Sequence, residues 1–278
     1  MPQASFQFID QHSAKAVADL RQQYYASLSA PMDGMWDDII HRSDLFCIMQ
    51  AGENIGYGAT DTNATLVHFF ILDPYLNQAA AVLAELSKTK KIRQAYVPTC
   101  SPSFLNAALQ LAQDTSVFYY FFDDEAQRKT HCKPATPFDT LALELARQEE
   151  ISALVRFCHR LSGADSNWLG KYLGYWIDRE GIYFMQKQGR IIATCELRPS
   201  ESQAGYADIG AIVDEDCRNK GLGAYLMQEG KKMSYQRNLK PICSCRFDNP
   251  ASRRMIEKAG YINRHLMIKV RFRKPLFW

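Results

Sequence analysis

The chain has 278 residues, long for one domain and sufficient for two with separate cores. Hydrophobic residues make up 47% and charged residues 23%, the balance of a globular protein rather than a disordered or fibrous one. A net charge of +3 is too small to imply nucleic acid as a partner, no apolar run reaches membrane-spanning length, and eight cysteines without framework spacing suit a reducing compartment. The opening Met1-Pro2-Gln3-Ala4-Ser5 lacks the basic-then-apolar pattern of a secretory signal, so a cytoplasmic location is expected.

In chain order, hydrophobic spacing predicts helices over Ser13–Leu28 and Asp33–His41, then strands Leu45–Gln50, Ile55–Asp61 and Thr65–Leu72. Helix Gln78–Ser87, strand Arg93–Pro98, helix Ser103–Ala112 and strand Val117–Phe122 follow. Asp123 to Pro137 is polar and charged, contains two prolines and has little apolar periodicity, which reads as a linker. The expected division is therefore a domain at 1–123, a linker at 124–137 and a domain at 138–278. The second half reads as strand Thr140–Leu145, helices Gln148–Leu161 and Trp168–Arg179, and strands Ile182–Gln186, Arg190–Leu197 and Gly205–Val213. A glycine-spaced turn then leads into a helix from Tyr225 to about Leu239, strand Pro241–Phe247, a short helix through Arg253–Lys258 and strand Tyr261–Phe272.

The halves look like copies. Met49-Gln50 with its Gly turn and Ile55 matches Met185-Gln186 with a Gly turn and Ile191; Ile71-Leu72-Asp73 matches Ile212-Val213-Asp214, and Ser101-Pro102 matches Asn249-Pro250. The offset grows slowly along the chain, as loop insertions in a duplicated fold would make it. Mixed strand and helix order, with hairpins first and crossovers later, gives an α+β (mixed α/β) fold class.

Arg218-Asn219-Lys220-Gly221-Leu222-Gly223-Ala224 joins a strand end to a helix start. The first amides of a helix are unpaired and its dipole is positive there, a ready site for phosphate. Gly221 and Gly223 are expected to let a diphosphate approach the backbone, with Arg218 and Lys220 adding charge. Downstream, Asn249 is a natural N-cap, Pro250 suits the first helical position, Ser252 follows, and Gly260 stops the helix. Cys243-x-Cys245 reads as two residues on one face of a strand, so no metal is expected. Cys217 beside the turn is read as a small residue in a tight loop, or as a thiol whose pKa Arg218 lowers. The basic, aromatic Arg271–Trp278 segment reads as a strand tail packing on its domain.

Arg-x-x-Gly-x-Gly after one strand, with Asn-x-x-Ser before a later helix ending Glu257-Lys258-Ala259-Gly260-Tyr261, resembles the GNAT superfamily of acyl-CoA-dependent N-acyltransferases over about Thr136 to Val270. The resemblance implies two GNAT-like domains, each a twisted, mostly antiparallel sheet flanked by helices. It implies acetyl-CoA as cosubstrate, held by Arg218, Asn219, Lys220, Gly221, Leu222, Gly223 and Ala224, by strand residues Ala211, Ile212 and Val213 on an edge splayed from its neighbour, and by Asn249 and Ser252. The implied reaction is acetyl transfer to a primary amine by direct attack, with a small-molecule or peptide amine as acceptor, no nucleic acid or membrane partner, and no expectation for oligomeric state. The carboxylate that many members use as general base falls on Ala207 here; Asp208 and Glu196 are the candidate catalytic residues. The tyrosine many members use as general acid falls on Ile256. Opposite the turn the first half offers Asn77-Gln78-Ala79-Ala80-Ala81-Val82, with no glycine and no basic residue, so it is expected not to bind CoA strongly. The rival readings are a non-catalytic CoA-binding regulatory module and an aminoacyl-tRNA-dependent peptidyl transferase.

Overall fold

The structure is a computed structural model that describes residues 5–11, 13–124, 132–133 and 138–273. Contacts divide the chain into two units. The first takes residues up to Phe121, Arg246–Asp248 and the chain from His265 onward; the second takes Phe122–Cys245 and Asn249–Arg264.

The first unit begins with strand β1 (Phe6–Gln11), then helices α1 (Ala18–Ser27) and α2 (Gly34–Arg42). Asp33 Oδ1 accepts from the Met35 amide at 2.9 Å and so fixes where α2 starts. Strands β2 (Asp44–Gln50), β3 (Glu53–Thr60) and β4 (Leu66–Ile71) follow, then α3 (Ala79–Thr89), β5 (Gln94–Pro98), α4 (Pro102–Leu111) and β6 (Ala112–Asp124), whose last residues belong to the second unit. The second unit holds β7 (Glu144–Leu145), α5 (Ile151–Ser162), α6 (Ser166–Ile177), β8 (Ile182–Lys187), β9 (Arg190–Pro199), β10 (Tyr206–Val213), α7 (Leu222–Gln236), β11 (Lys240–Arg246) and α8 (Pro250–Lys258). Strand β12 (Tyr261–Phe272) ends in the first unit, where Met267–Arg271 pair antiparallel with Gln94–Pro98.

Both units repeat one plan. β1 to β4 pair antiparallel in order and β4 meets β5 in parallel at Leu66↔Ala95; β7 to β10 pair antiparallel and β10 meets β11 in parallel. The register slips between Ile48 and Met49 in one hairpin and between Met185 and Gln186 in the other, at the residues the sequence repeat aligned. In each unit the strands are covered on both faces because the central ones are apolar on both. In the first unit Tyr24, Trp36, Ile40, Tyr57 and Phe70 pack under α1 and α2, and Ile55, Leu66, Phe69, Leu83 and Phe104 pack under α3 and α4. In the second unit Leu154, Phe157, Leu173, Ile182 and Phe184 form the core under α5 and α6.

The elements that differ from the expectation include β6, which starts at Ala112 rather than Val117. β1 carries only a short alternation beside the chain end and was not anticipated. Thr140–Leu145 is a 3₁₀ turn at Phe138–Thr140 and then a two-residue strand, because only Glu144 and Leu145 find a ladder, opposite Phe184 and Tyr183. The helix expected to reach Leu239 ends at Gln236, where Asn238 takes a left-handed φ of 57°. Of the expected linker, Asp123 and Asp124 lie in β6 and Cys132 is buried, its amide donating to Gln228 Oε1 at 2.7 Å. Residues 125–131 and 134–137 lie outside the described residues, as do 274–278 of the expected strand tail.

Candidate active site

β10 and β11 share a ladder only over Tyr206↔Lys240, Ala207↔Pro241 and Asp208↔Ile242. On its other side β10 stays paired with β9 without a slip as far as Val213↔Ala193. Past Asp208 the two parallel strands therefore part, as the resemblance implied. The gap opens into a cleft of about 710 Å³ between the C-terminal half of β10, the start of α7 and one face of α8.

All of the expected cosubstrate residues line this cleft except Lys220: Ala211, Ile212, Val213, Arg218, Asn219, Gly221, Leu222, Gly223, Ala224, Asn249 and Ser252. Cys217, Ala251, Arg254, Met255 and Lys258 line it too. Those on α8 were legible in principle, since Ala251, Arg254, Met255 and Lys258 recur at the three-to-four spacing of a single helix face.

The turn is held by Asp214, 1% exposed, which accepts from Arg160 at 2.6 Å, from Arg190 at 2.9 Å and from the Asp216 amide at 3.2 Å. Burial alone would raise this carboxyl; the three donors outweigh it and hold it below the ordinary carboxylate value. Asn219 and Gly221 then take left-handed φ values of 61° and 80°, swinging the chain into α7. Gly221 is the N-cap residue and no side chain caps α7, so the first helical amides face the cleft without competition from the protein's own side chains.

Three residues at the turn make contacts within the protein itself. Gly223 lets α7 lie close to α8: a Cβ there would lie 2.5 Å from Met255 Sδ, toward the flexible end of that side chain. Lys220 Nζ donates to the Asp216 carbonyl at 2.7 Å and stands 5.6 Å from the Phe138 ring, outside the cleft. Arg218 lines the cleft but its Nε donates to the Val213 carbonyl at 3.2 Å. The Cys217 thiol is pushed up, not down, first by burial and next by the Asp214 charge, so it is a poor nucleophile.

The unbroken β9–β10 register answers where the carboxylates point. Ile209 and Val213 meet Gly230 and Gly223 of α7, so odd-numbered residues of β10 face that helix. Asp208 and Gly210 face the α5–α6 side. Ala207, at the family's base position, is fully buried. Asp208 is 2% exposed at the last paired position, opposite Arg198. Glu196 lies opposite Gly210, just past the parting, and the absence of a side chain on Gly210 leaves it room. Its Oε2 accepts from the Tyr172 hydroxyl at 2.5 Å and lies 3.4 Å from Arg198 Nε, while Oε1 has no hydrogen-bond partner among the described residues. Burial first and the Glu196 charge second raise the Tyr172 phenol well above its ordinary value, so it stays a donor to Glu196. Ile256, at the family's acid position, is 1% exposed in the core.

The first unit differs at the equivalent place. Phe69, Phe70 and Ile71 near the end of β4 are 1%, 3% and 1% exposed, whereas Gly210–Val213 are all partly open. Pro74 sits in a 3₁₀ turn, Asp73–Gln78, ahead of α3. No cluster of metal-ligating side chains and no helix long and apolar enough to cross a membrane occurs among the described residues.

A family model described as an acetyltransferase (GNAT) domain matches residues 13–125, and one described as the acetyltransferase (GNAT) family matches 144–261. No curated protein matches the chain. Among solved structures, a GNAT-family acetyltransferase from Colwellia psychrerythraea is 20% identical with a TM-score of 0.89, covering 96% of this chain and 100% of its own. A GCN5-related N-acetyltransferase from Sphaerobacter thermophilus is 14% identical with a TM-score of 0.67, covering 96% of each chain. A tandem GNAT protein from the clavulanic acid biosynthesis pathway is 12% identical with a TM-score of 0.66, covering 98% of this chain and 99% of its own. At these identities the likeness is one of fold.

Proposed function

Because the chain belongs to the GNAT acetyltransferase family through two domains in tandem, we propose that its C-terminal domain moves an acetyl group from acetyl-CoA to a primary amine. The observation that carries this reading is the cleft where β10 leaves β11, closed at one end by the uncapped start of α7. The residues fit the cosubstrate: amides and a helix dipole for the diphosphate at Leu222–Ala224, and a strand edge at Ala211–Val213 for the pantetheine. When bound, acetyl-CoA supplies the acyl thioester.

The chain's own residues do the rest. Edge amides of β10 donate to the thioester carbonyl, an interaction worth roughly 3 kcal/mol where charge develops on that oxygen. The amine nitrogen bonds to the carbonyl carbon, the carbon–sulfur bond breaks and the sulfur keeps its electron pair. The proton shed by the nitrogen passes to Glu196 Oε1, with Tyr172 and Arg198 holding Oε2 and so the orientation of the carboxylate. Asp208 is the second candidate for this role. The first domain, in which Phe69, Phe70 and Ile71 near the strand end are buried and no glycine or basic residue stands opposite the turn, does not take CoA.

Replacement of the family's base and acid positions by Ala207 and Ile256 favours a second reading, a CoA-binding module without turnover. Calorimetry with CoA and a CoA-release assay over a panel of amines separate the two. Binding with turnover that Glu196→Gln lowers by roughly 10²-fold or more supports the first reading. Binding without turnover across the panel supports the second, and a loss confined to Asp208→Asn moves the proton to Asp208.

A further inference from the structure

The cations at the glycine turn are largely occupied by the protein itself. Lys220 is bound to a backbone carbonyl outside the cleft, and Arg218 is bound to Val213 O and lies 3.7 Å from Glu215. The free charge lies elsewhere. Arg254 and Lys258 are exposed, one helical turn apart on α8, and both line the cleft. Neither side chain meets a carboxylate among the described residues, whereas the adjacent Arg253 points to Glu257 at 2.7 Å and stays out of the cleft. Two unneutralised cations aimed into one cleft, beside a helix start already suited to a diphosphate, make a second, separate place for negative charge.

We propose that Arg254 and Lys258 bind a phosphomonoester, the 3′-phosphate on the ribose of CoA, and make this domain selective for CoA over nucleotide thiols that lack that group. The inference rests on the CoA reading above and assigns the part of the molecule that the α7 amides do not hold. A phosphomonoester carries close to two negative charges at neutral pH and three acceptor oxygens, which suits one guanidinium fork and one ammonium together. The diphosphate binds through backbone amides and a dipole, so its hold does not depend on these side chains. Selectivity for the third phosphate therefore separates cleanly from affinity for the rest.

The test is calorimetric and needs no acceptor: titrate the full chain with CoA and with dephospho-CoA. The wild type is expected to bind CoA tighter by roughly tenfold to a hundredfold, the range for charge-assisted contacts at an exposed site. That preference should shrink as salt rises. Arg254→Ala with Lys258→Ala should bring the CoA affinity down to that for dephospho-CoA without changing the latter, Arg254→Lys with Lys258→Arg should keep part of the preference, and Arg253→Ala should keep all of it. Equal wild-type affinities for the two ligands, or a preference that survives the double alanine variant, overturns the subsite while leaving CoA binding intact. If neither ligand binds the wild type, the CoA reading itself falls and the subsite with it.

Discussion

Asp214 is the residue on which the shape of the turn depends. It is buried, its two guanidinium partners come from α5 and β9, and its own amide neighbour closes the 3₁₀ turn that delivers Arg218. Losing charge-assisted bonds of this kind costs about 1–3 kcal/mol. Asp214→Asn should lower the unfolding free energy by that order at pH 7 and weaken CoA binding by loosening the residues ahead of α7. The sign with pH follows from the depressed carboxyl. Its contribution is complete above the ordinary carboxylate pKa of about 3.9 and is lost as pH falls through the lower folded value. Urea unfolding of wild type and variant should therefore differ at neutral pH and converge in acid; identical midpoints at pH 7 would remove the clamp from the account. The same residue type recurs at the repeat position Asp73, yet Asp73 is exposed. The repeat showed where the two turns correspond, and only the placement of Arg160 and Arg190 shows that one of them is locked.

At the scale of elements, α7 works because it comes unusually close to what it packs on. Gly223 and Gly230 sit two turns apart on one side of the helix: a Cβ at Gly230 would lie 2.6 Å from Ile209 Cγ2 and 3.2 Å from Cys195 Sγ. Both obstacles are buried in the sheet, so the neighbours have little room to give. Gly230→Ala is expected to cost about 1–3 kcal/mol, the usual penalty for overpacking, and to push β10 away from its place beside the cleft. Gly223→Ala meets the movable end of Met255 and should cost less. Thermal melts of the two variants rank them; the opposite order would mean that the α7–α8 contact, not the α7–sheet contact, sets the position of the helix. Much of the architecture was legible because helix periods and caps are local: Asn249 does accept from the Ser252 amide, at 3.0 Å, with Pro250 in the first turn. Glycine marks close approach, but the sequence does not say to what: Gly223 lines the cleft and also lies against the Met255 side chain of α8. β7 and β1 were harder, since a strand of two residues or one at a chain end carries too few alternations to stand out.

For the whole molecule, the duplicated plan was readable from short matching words, since the hairpin slips at Met49 and Met185 and the parallel crossings recur in both units. Which unit a strand joins was not readable, because apolar alternation fixes a strand's faces and leaves its edge partner open. That matters for β12. From His265 on it belongs with the first unit, where Met267, Val270 and Phe272 are 1%, 0% and 6% exposed in the two cores around β5. Burying side chains of this size stabilises by about 1.5–3 kcal/mol each, so the three together rival the whole stability of an ordinary domain, about 5–15 kcal/mol. A chain ending at Asp124 also leaves the β5 edge from Gln94 to Pro98 without its ladder, a template for association. Such a fragment, though it contains the entire family match at 13–125 apart from its last residue, is expected to lack a cooperative thermal transition and to associate on gel filtration. A monomeric fragment that melts sharply near the temperature of the intact chain would mean that β12 adds little to the first unit and that β1 to β6 carry their own fold.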